Sequence, residues 1–345
     1  MQVLLAVGSS AGGRQMKAII AINNKTGEIR SGQSDSLDGF EYYILKFGDK
    51  SMPISEIETA YHNMAASAGI EMEECRLLPV EGINHFLTKR FDRKNGKKIH
   101  IQTLAAMNPE ARSYEDLVAT CREISISESE IDQLFARMVF NVIANNTDDH
   151  NKNFSFLLEE NGKWHLAPAY DMTFIFNTNG TGPNIERRLS IGTKTADISK
   201  LDLLDFAKQN DIKNANAIIN RVAEAVMRFS VYAETYGISQ PWRGIIQKTL
   251  HDNLTLFGYL ENSDNQTSSF TDKHGRTITN LSVSVNSKRH YEIVAIIDDR
   301  HHRRFVRPNM DRYSDLASQD IFNLSAAEKS RLVESLFPIN NESSK

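Results

Sequence analysis

A densely polar segment lies between two apolar ones near the middle of this 345-residue chain, and it limits the folds that the sequence can adopt. Residues 147–153 read Thr-Asp-Asp-His-Asn-Lys-Asn. Before them, apolar residues recur at helical spacing over Glu128–Ala144, which predicts an amphipathic helix, and the apolar strand Phe154–Leu158 follows. A polar run at such a junction indicates either a loop with a chemical role or a cluster of turn and capping residues.

The spacing within this segment favours the chemical role. Asp148 and Asn153 are five residues apart, as are the Asp and the Asn of a protein-kinase catalytic loop. There the Asp accepts the proton of the substrate hydroxyl, and the Asn offers oxygen to Mg²⁺, which prefers oxygen ligands. A second predicted strand, Trp164–Ala167, completes a hairpin with the first. Asp171 follows it where kinases hold a second metal-binding Asp, although a turn-forming Asp is the alternative.

A lysine and a glutamate nearer the start of the chain fit the same chemistry. Lys46 lies inside the apolar strand Glu41–Phe47, where it either faces solvent or contacts nucleotide phosphates. A kinase also needs a helical Glu to pair with this lysine, and Glu58 lies in the first turn of the next predicted helix. Ser55 and Glu58 also fit a capping box, and Gly69 fits the end of that helix. Because one carboxylate cannot easily serve both purposes, we favour the Lys46–Glu58 ion pair.

Residues 8–14, Gly-Ser-Ser-Ala-Gly-Gly-Arg, lie between the predicted strands Gln2–Val7 and Lys17–Ile22. Glycines allow backbone amides to approach phosphate oxygens closely. The run matches neither GxGxxG nor a Walker A sequence, and taken alone it is better explained by a simple hairpin turn.

The pattern of elements predicts an α+β protein that changes character near residue 91. Further strands are predicted at Cys75–Val80 and Asn84–Phe91, which makes residues 1–91 rich in strands, while helices dominate 92–345. Helices are predicted near 199–209, 214–234, 241–256 and 325–336. Residues 172–196 are rich in Gly, Thr and Asn and are predicted to form a mobile loop. A linker or long loop is predicted at 262–270, and a strand pair at Leu281–Val285 and Tyr291–Ile297.

Composition indicates a cytoplasmic location. The net charge of −4 gives no general attraction to nucleic acid or to anionic membranes. Two distant cysteines, Cys75 and Cys121, indicate a reducing compartment, and no secretory leader or membrane span is evident. The basic run 300–307 is expected to be a solvated face, with tRNA or a protein partner as alternatives.

Four stretches together resemble the HipA family of bacterial toxin kinases: residues 9–18 (Ser-Ser-Ala-Gly-Gly-Arg-Gln-Met-Lys-Ala), Lys89–Arg93, Thr147–Ser155 and Leu166–Asp171. The resemblance extends over roughly residues 3–200, with the third and fourth stretches the most specific. It implies a two-lobed protein kinase-like fold, with a small β-rich N-lobe at 1–91 and a larger, mainly helical C-lobe at 92–345. Residues 262–345 have no assigned counterpart.

The resemblance implies ATP and Mg²⁺ as cofactors and gives each site residue a role. Asp148 is the implied catalytic base, Asn153 and Asp171 the magnesium ligands, Lys46 the contact to the ATP phosphates, and Glu58 its support.

The remaining implied roles concern the nucleotide and its regulation. Phe91 would line the adenine hinge, Asp92 would reach the ribose, and His150 would lie near the phosphates or serve as a structural histidine. The glycine loop would cover the nucleotide through Ser9, Ser10, Ala11, Gly12 and Gly13. Ser9 or Ser10 would be the autophosphorylation site.

The resemblance also implies partners. Family members phosphorylate aminoacyl-tRNA synthetases and are neutralised by an antitoxin that often carries a helix-turn-helix. Typical members have a long N-terminal subdomain before the glycine loop, whereas this chain resembles compact members. We therefore expect either a separate small protein that completes the N-lobe or an N-lobe that functions without one. No membrane contact and no direct nucleic-acid binding are expected.

Three other functions fit parts of the sequence. A lipid kinase would use the same residues, although no membrane-seeking segment is evident. A metal-dependent hydrolase would use Asp148, Asp149, His150 and His165 but would leave Asn153 unexplained. A non-catalytic binding protein with a kinase-like body is disfavoured because all the implied catalytic residues are present.

Overall fold

The computed structural model describes residues 15–33, 38–94, 97–260, 270–285, 291–298 and 300–306, together with residues 331, 333 and 336. The chain forms two compact units, Met1–Tyr259 and Leu260–Lys345. The division falls just before the linker that the sequence predicts. A lobe boundary at residue 91 stays a prediction.

The first unit begins with a five-stranded antiparallel sheet. Buried apolar residues of its central strands, among them Ile20, Leu45 and Leu87, form one core. Four predicted strands of this sheet are confirmed, with ends shifted by at most two residues, and its fifth strand, Ile29–Ser31, was not predicted. The predicted strand Gln2–Val7 lies outside the described residues. In sheet order β2-β1-β3-β5-β4, the strands are β1 Lys17–Ile22, β2 Ile29–Ser31, β3 Glu41–Lys46, β4 Cys75–Val80 and β5 Ile83–Lys89.

Helix α1, Ile54–Ser67, packs against β4 and β5 and ends where the sequence predicts. Gly69 adopts φ +76°, in the left-handed region that glycine enters without strain. The amide of Ile70 donates to the carbonyl of Ala65 at 3.2 Å, which closes the helix end.

The capping box predicted at the start of α1 is wrong. Pro53 is the N-cap, and no side chain caps the helix. The carboxylate of Glu58 instead contacts Lys46. Leaving a buried ammonium without a carboxylate costs more free energy than leaving a helix start without a side-chain cap. The ion pair therefore prevails over the cap.

The rest of the first unit is mainly helical, and its most deeply buried helix is α4, Glu128–Ile143. Every residue from Leu134 to Ile143 is buried. The helix predicted at 214–234 is two helices, because the chain turns at Arg228 and the ring of Phe229 packs 6.0 Å from that of Tyr61 in α1. The helices are α2 Leu104–Met107, α3 Tyr114–Glu123, α4 Glu128–Ile143, α5 Lys200–Gln209, α6 Ala215–Met227, α7 Phe229–Thr235 and α8 Trp242–Leu256.

Two small sheets complete this unit. The predicted hairpin is confirmed as β9 Ser155–Leu158 and β10 Trp164–Leu166, and β8 His100–Thr103 pairs with its outer side. Two short strands, β6 Arg93–Lys94 and β7 Lys97–Lys98, form a second pair. The β9–β10 hairpin leads the chain from the polar segment 147–153 to Asp171.

Segment 172–196 contains no regular helix or strand, but it is not the loose loop that its composition predicts. Met172, Phe174, Leu189 and Ile191 are buried in it. Most of its glycine, threonine and asparagine residues lie between two pairs of buried apolar residues, which pack both ends of the segment into the core.

Helix α5 begins at a capping box in which the Ser199 hydroxyl accepts from the Asp202 amide. Replacing Ser199 with alanine is expected to lower the free energy of unfolding by about 1 kcal/mol, because the helix start loses an acceptor. Urea denaturation measures the change. Ser199→Thr keeps an accepting oxygen and is the control, and equal losses in both variants would contradict the capping role.

The second unit contains a four-stranded antiparallel sheet in the order β11-β12-β13-β14. Its strands are β11 Phe270–Thr271, β12 Thr277–Val285, β13 Tyr291–Ile297 and β14 Arg300–Val306. The predicted strand pair is confirmed as the last part of β12 and the whole of β13. Most of the basic run forms the edge strand β14. The three described residues of the predicted helix 325–336, residues 331, 333 and 336, are helical. The predicted linker 262–270 lies outside the described residues except for residue 270.

Among the described residues, no helix combines the length and the apolar character that crossing a membrane requires.

Candidate active site

The polar segment after α4 folds back on itself and exposes one carboxylate. Asn153 Nδ2 donates to the carbonyl of Asp148 at 2.9 Å, and the Asn153 amide donates to the carbonyl of His150 at 2.8 Å. The Asp148 side chain is 47% exposed. Because the nitrogen of the Asn153 side chain is used within the loop, its oxygen is the atom that remains for a ligand. The loop therefore offers a carboxylate and an amide oxygen.

Asp171 is held beside this loop by the backbone. Its φ of +54° lies in the left-handed region, which Asp tolerates better than most residues. Asn146 Nδ2, at the end of α4, donates to the Asp171 carbonyl at 3.4 Å. The β9–β10 hairpin and this contact together bring the two predicted metal ligands into one region.

Lys46 joins the sheet to this region. Its ammonium contacts the Glu58 carboxylate and Oδ1 of Asp171, and the residue is only 7% exposed. Burial disfavours the charged ammonium, but the two carboxylates outweigh burial and raise the pKa of Lys46. Burial likewise opposes ionisation of Asp171, and the charge of Lys46 outweighs it and lowers the Asp171 pKa. The site therefore combines a fixed cation with an ionised carboxylate.

The predicted hinge residues lie at the end of β5. The ring of Phe91 lies 5.7 Å from that of Tyr170, which precedes Asp171. The Asp92 carboxylate accepts hydrogen bonds from Arg90 at 2.5 Å and from Arg93 at 2.8 Å and is 13% exposed. A ribose hydroxyl that bound Asp92 would share its carboxylate with both arginines. The ribose contact stays a prediction.

A cleft of about 420 Å³ opens beside the hinge. Among the residues that line it are Phe91, Lys89, Pro168, Glu130 and His165. Its lining does not include Lys46, Asp148 or Asp171. The cleft is therefore distinct from the site that these three residues form.

His150 lies beside the predicted base, with Nε2 4.0 Å from Oδ2 of Asp148. Its Nδ1 is buried and has no hydrogen-bond partner in the described part of the chain. Its position is compatible with both predicted roles. The five glycine-loop residues, Ser9, Ser10, Ala11, Gly12 and Gly13, and the strand predicted at Gln2–Val7 lie outside the described residues.

Of the four residues of the hydrolase alternative, Asp148 and His150 lie together, whereas the side chains of Asp149 and His165 have other partners. The Asp149 carboxylate is fully buried and accepts from Arg187 at 2.8 Å. His165 Nδ1 lies 3.2 Å from Glu130 Oε1, at the β10 end of the hairpin. Among the described residues, no group of three His, Cys, Asp or Glu side chains could hold a metal ion.

Sequence reasoning missed two arginines of segment 172–196. Arg187 is buried against Asp149, and Arg188 Nε lies 3.4 Å from Oδ1 of Asp148. Segment 172–196 has no hydrophobic period that would place these side chains, and the succession of two arginines is the only signal that the sequence offers.

The fold is α+β, two-lobed and kinase-like, and a lysine of its sheet contacts the carboxylates of Glu58 and Asp171. The HipA-like C-terminal domain family matches residues 9–229, well over half of the chain. The chain belongs to this family.

Related sequences and structures agree with this assignment. "Putative kinase" of Haemophilus influenzae is 25% identical over 67% of this chain and 79% of its own length. "Putative kinase Y4dM" of Sinorhizobium fredii is 22% identical over 71% of this chain and 64% of its own. HipA of Shewanella oneidensis MR-1, solved with HipB and operator DNA, shares the fold with a TM-score of 0.52 at 15% identity. That match covers 71% of this chain and 63% of HipA, so this chain spans less than two thirds of Y4dM and of HipA.

Proposed function

We propose that the protein is an ATP- and Mg²⁺-dependent serine/threonine protein kinase. The observation that carries the proposal is the contact of Lys46 with both Glu58 and Asp171, next to a loop that presents Asp148 and Asn153. Phosphoryl transfer needs positioning and charge neutralisation more than covalent chemistry from the protein. These five residues provide a cation, two oxygen ligands and a proton acceptor.

The residues present fit a magnesium ion. The Asn153 side-chain oxygen and the Asp171 carboxylate would hold it, because Mg²⁺ takes one or two protein oxygens and completes its shell with phosphate oxygens and water. Bound Mg²⁺ supplies neutralisation of phosphate charge. Lys46 would contact the phosphates, with Glu58 fixing its ammonium and the glycine loop, Ser9–Gly13, covering them. Phe91 and Asp92 would contact the adenosine.

The transfer itself uses Asp148. The acceptor hydroxyl oxygen forms a bond to the γ-phosphorus while the bond from that phosphorus to the β–γ bridging oxygen breaks. ADP leaves with that electron pair, and Asp148 accepts the hydroxyl proton. A half-exposed carboxylate can meet a protein side chain that arrives from solvent.

We further propose that the kinase is the cytoplasmic toxin of a HipA-type toxin–antitoxin system. Its substrate would be an aminoacyl-tRNA synthetase, and its regulator would be an antitoxin with a helix-turn-helix. Autophosphorylation of Ser9 or Ser10 would inactivate it, because phosphate there repels the phosphates of ATP.

The test is transfer from γ-labelled ATP with Mg²⁺ by the wild type and by Asp171→Ala, followed by mass spectrometry of residues 1–17. We expect label on Ser9 or Ser10 in the wild type and none in the variant, which lacks a metal ligand. Asp252→Ala removes an exposed carboxylate and is the matched control. A wild type that carries no prior phosphate, binds no ATP and transfers none would overturn the proposal.

A further inference from the structure

Hydrogen bonds join the last part of segment 172–196 to the loop 147–153 and to the start of α3. Asn184 Nδ2 donates to the Thr147 hydroxyl at 2.9 Å, and the Arg188 amide donates to Oδ1 of Asp149 at 2.9 Å. The Tyr114 amide donates to the Ser190 carbonyl at 2.9 Å. Residues 184–190 therefore have a fixed place over the loop that carries Asp148.

The strongest of these attachments is buried. Oδ2 of Asp149 accepts from Arg187 Nη1 at 2.8 Å and from the Tyr114 hydroxyl at 2.7 Å. The Arg187 and Asp149 side chains are 4% and 0% exposed. Tyr114 in turn accepts from Asn141 of α4 at 3.0 Å. A buried pair with this many partners fixes the backbone at Arg187, and hence at Arg188.

The side chain of Arg188 points the other way, into solvent beside the predicted base. Its Nε lies 3.4 Å from Oδ1 of Asp148, and its side chain is 63% exposed. The contact is long for a charge-assisted hydrogen bond, so little holds the guanidinium on Asp148. The backbone of Arg188 is thus held in place, while its guanidinium is exposed and only weakly bound. It lies where the acceptor hydroxyl would enter.

The charges of the site leave a role for such a cation. Lys46 is already shared between two carboxylates. During transfer, negative charge spreads over the three outer oxygens of the phosphoryl group, and an arginine at that point is among the strongest contributions known in phosphoryl-transfer enzymes. The planar guanidinium can donate two hydrogen bonds to phosphate oxygens at once.

We propose that Arg188 is a further catalytic residue: its guanidinium leaves Asp148 when the acceptor binds and contacts the phosphoryl group in transfer. Arg187 and Asp149 are positioning residues that hold it there. The proposal rests on the proposed kinase function and adds a cation on the acceptor side of the site.

The test compares Arg188→Ala with the wild type in the labelled-ATP assay. We expect kcat to fall by about 10²–10³-fold, as when one donor to a developing charge is removed. The KM for ATP and its affinity by calorimetry should stay the same, because the contact forms in the transition state. Added guanidinium ion, at a concentration that leaves folding intact, should restore part of the activity of this variant alone. Arg188→Lys should be intermediate, since lysine supplies charge without the planar fork.

Lys248→Ala is the matched control, because Lys248 is also an exposed cation, 3.3 Å from the carboxylate of Asp252. Two results would overturn the role of Arg188 alone. Arg188→Ala could transfer phosphate at the wild-type rate, or it could lose activity that guanidinium does not restore and bind ATP more weakly. A wild type without transfer would overturn the proposed function, and this inference with it.

Discussion

Replacing Asp148 with asparagine is expected to lower the rate of phosphoryl transfer by about 10²–10⁴-fold, the usual contribution of a positioned general base. The amide has the size of the carboxylate but cannot accept the hydroxyl proton. The side chain is 47% exposed, and we therefore expect the free energy of unfolding to change by no more than about 0.5 kcal/mol. Initial rates with labelled ATP, together with urea denaturation, measure both quantities.

Two further measurements make this result specific to the proton acceptor. Calorimetric ATP affinity should match the wild type, because Lys46, Glu58 and Asp171 are unchanged. Asp252→Asn, an exposed carboxylate far along the chain in α8, should leave transfer unaffected. Near-normal transfer by the Asp148 variant would remove Asp148 from the mechanism and would favour a binding role for the kinase-like body.

Much of the site follows from the sequence because its signals are local. The Asp148–Asn153 spacing lies within one loop, and the hairpin that leads to Asp171 has two clear apolar runs around a Glu-Glu-Asn-Gly turn. The ion pair of Lys46 and Glu58 could be favoured for the same reason, since strand and helix are neighbours in the chain. The rejected capping box shows the limit: a local motif at Ser55 and Glu58 yields when a buried charge needs the same carboxylate.

The unpredicted part depends on contacts between distant segments. Asp171 meets Lys46 across 125 residues, and Arg187 meets Asp149 across 38. Segment 172–196 has no period that would show which of its side chains are buried, so its packing could not be foreseen. The nucleotide roles of Ser9, Ser10 and the loop glycines stay predictions.

Replacing Asp149 with alanine is expected to destabilise the protein by about 3–5 kcal/mol, the usual result of removing one partner of a buried ion pair. The Arg187 side chain, 4% exposed, would keep its charge without a carboxylate, and the Tyr114 hydroxyl would lose its acceptor. Urea denaturation followed by tryptophan fluorescence reports the change, because both tryptophans, Trp164 and Trp242, lie in the first compact unit.

A double-mutant cycle separates the ion pair from simple loss of packing. In the D149A/R187M variant no guanidinium remains buried without a partner, so we expect the double variant to be more stable than the sum of the two single losses predicts. Asp252→Ala, which removes one member of an exposed pair, should cost no more than about 1 kcal/mol. Additive losses across the cycle would show that Asp149 and Arg187 do not act as a pair, and the anchoring of Arg188 would then have to depend on Asn184 and Ser190 instead.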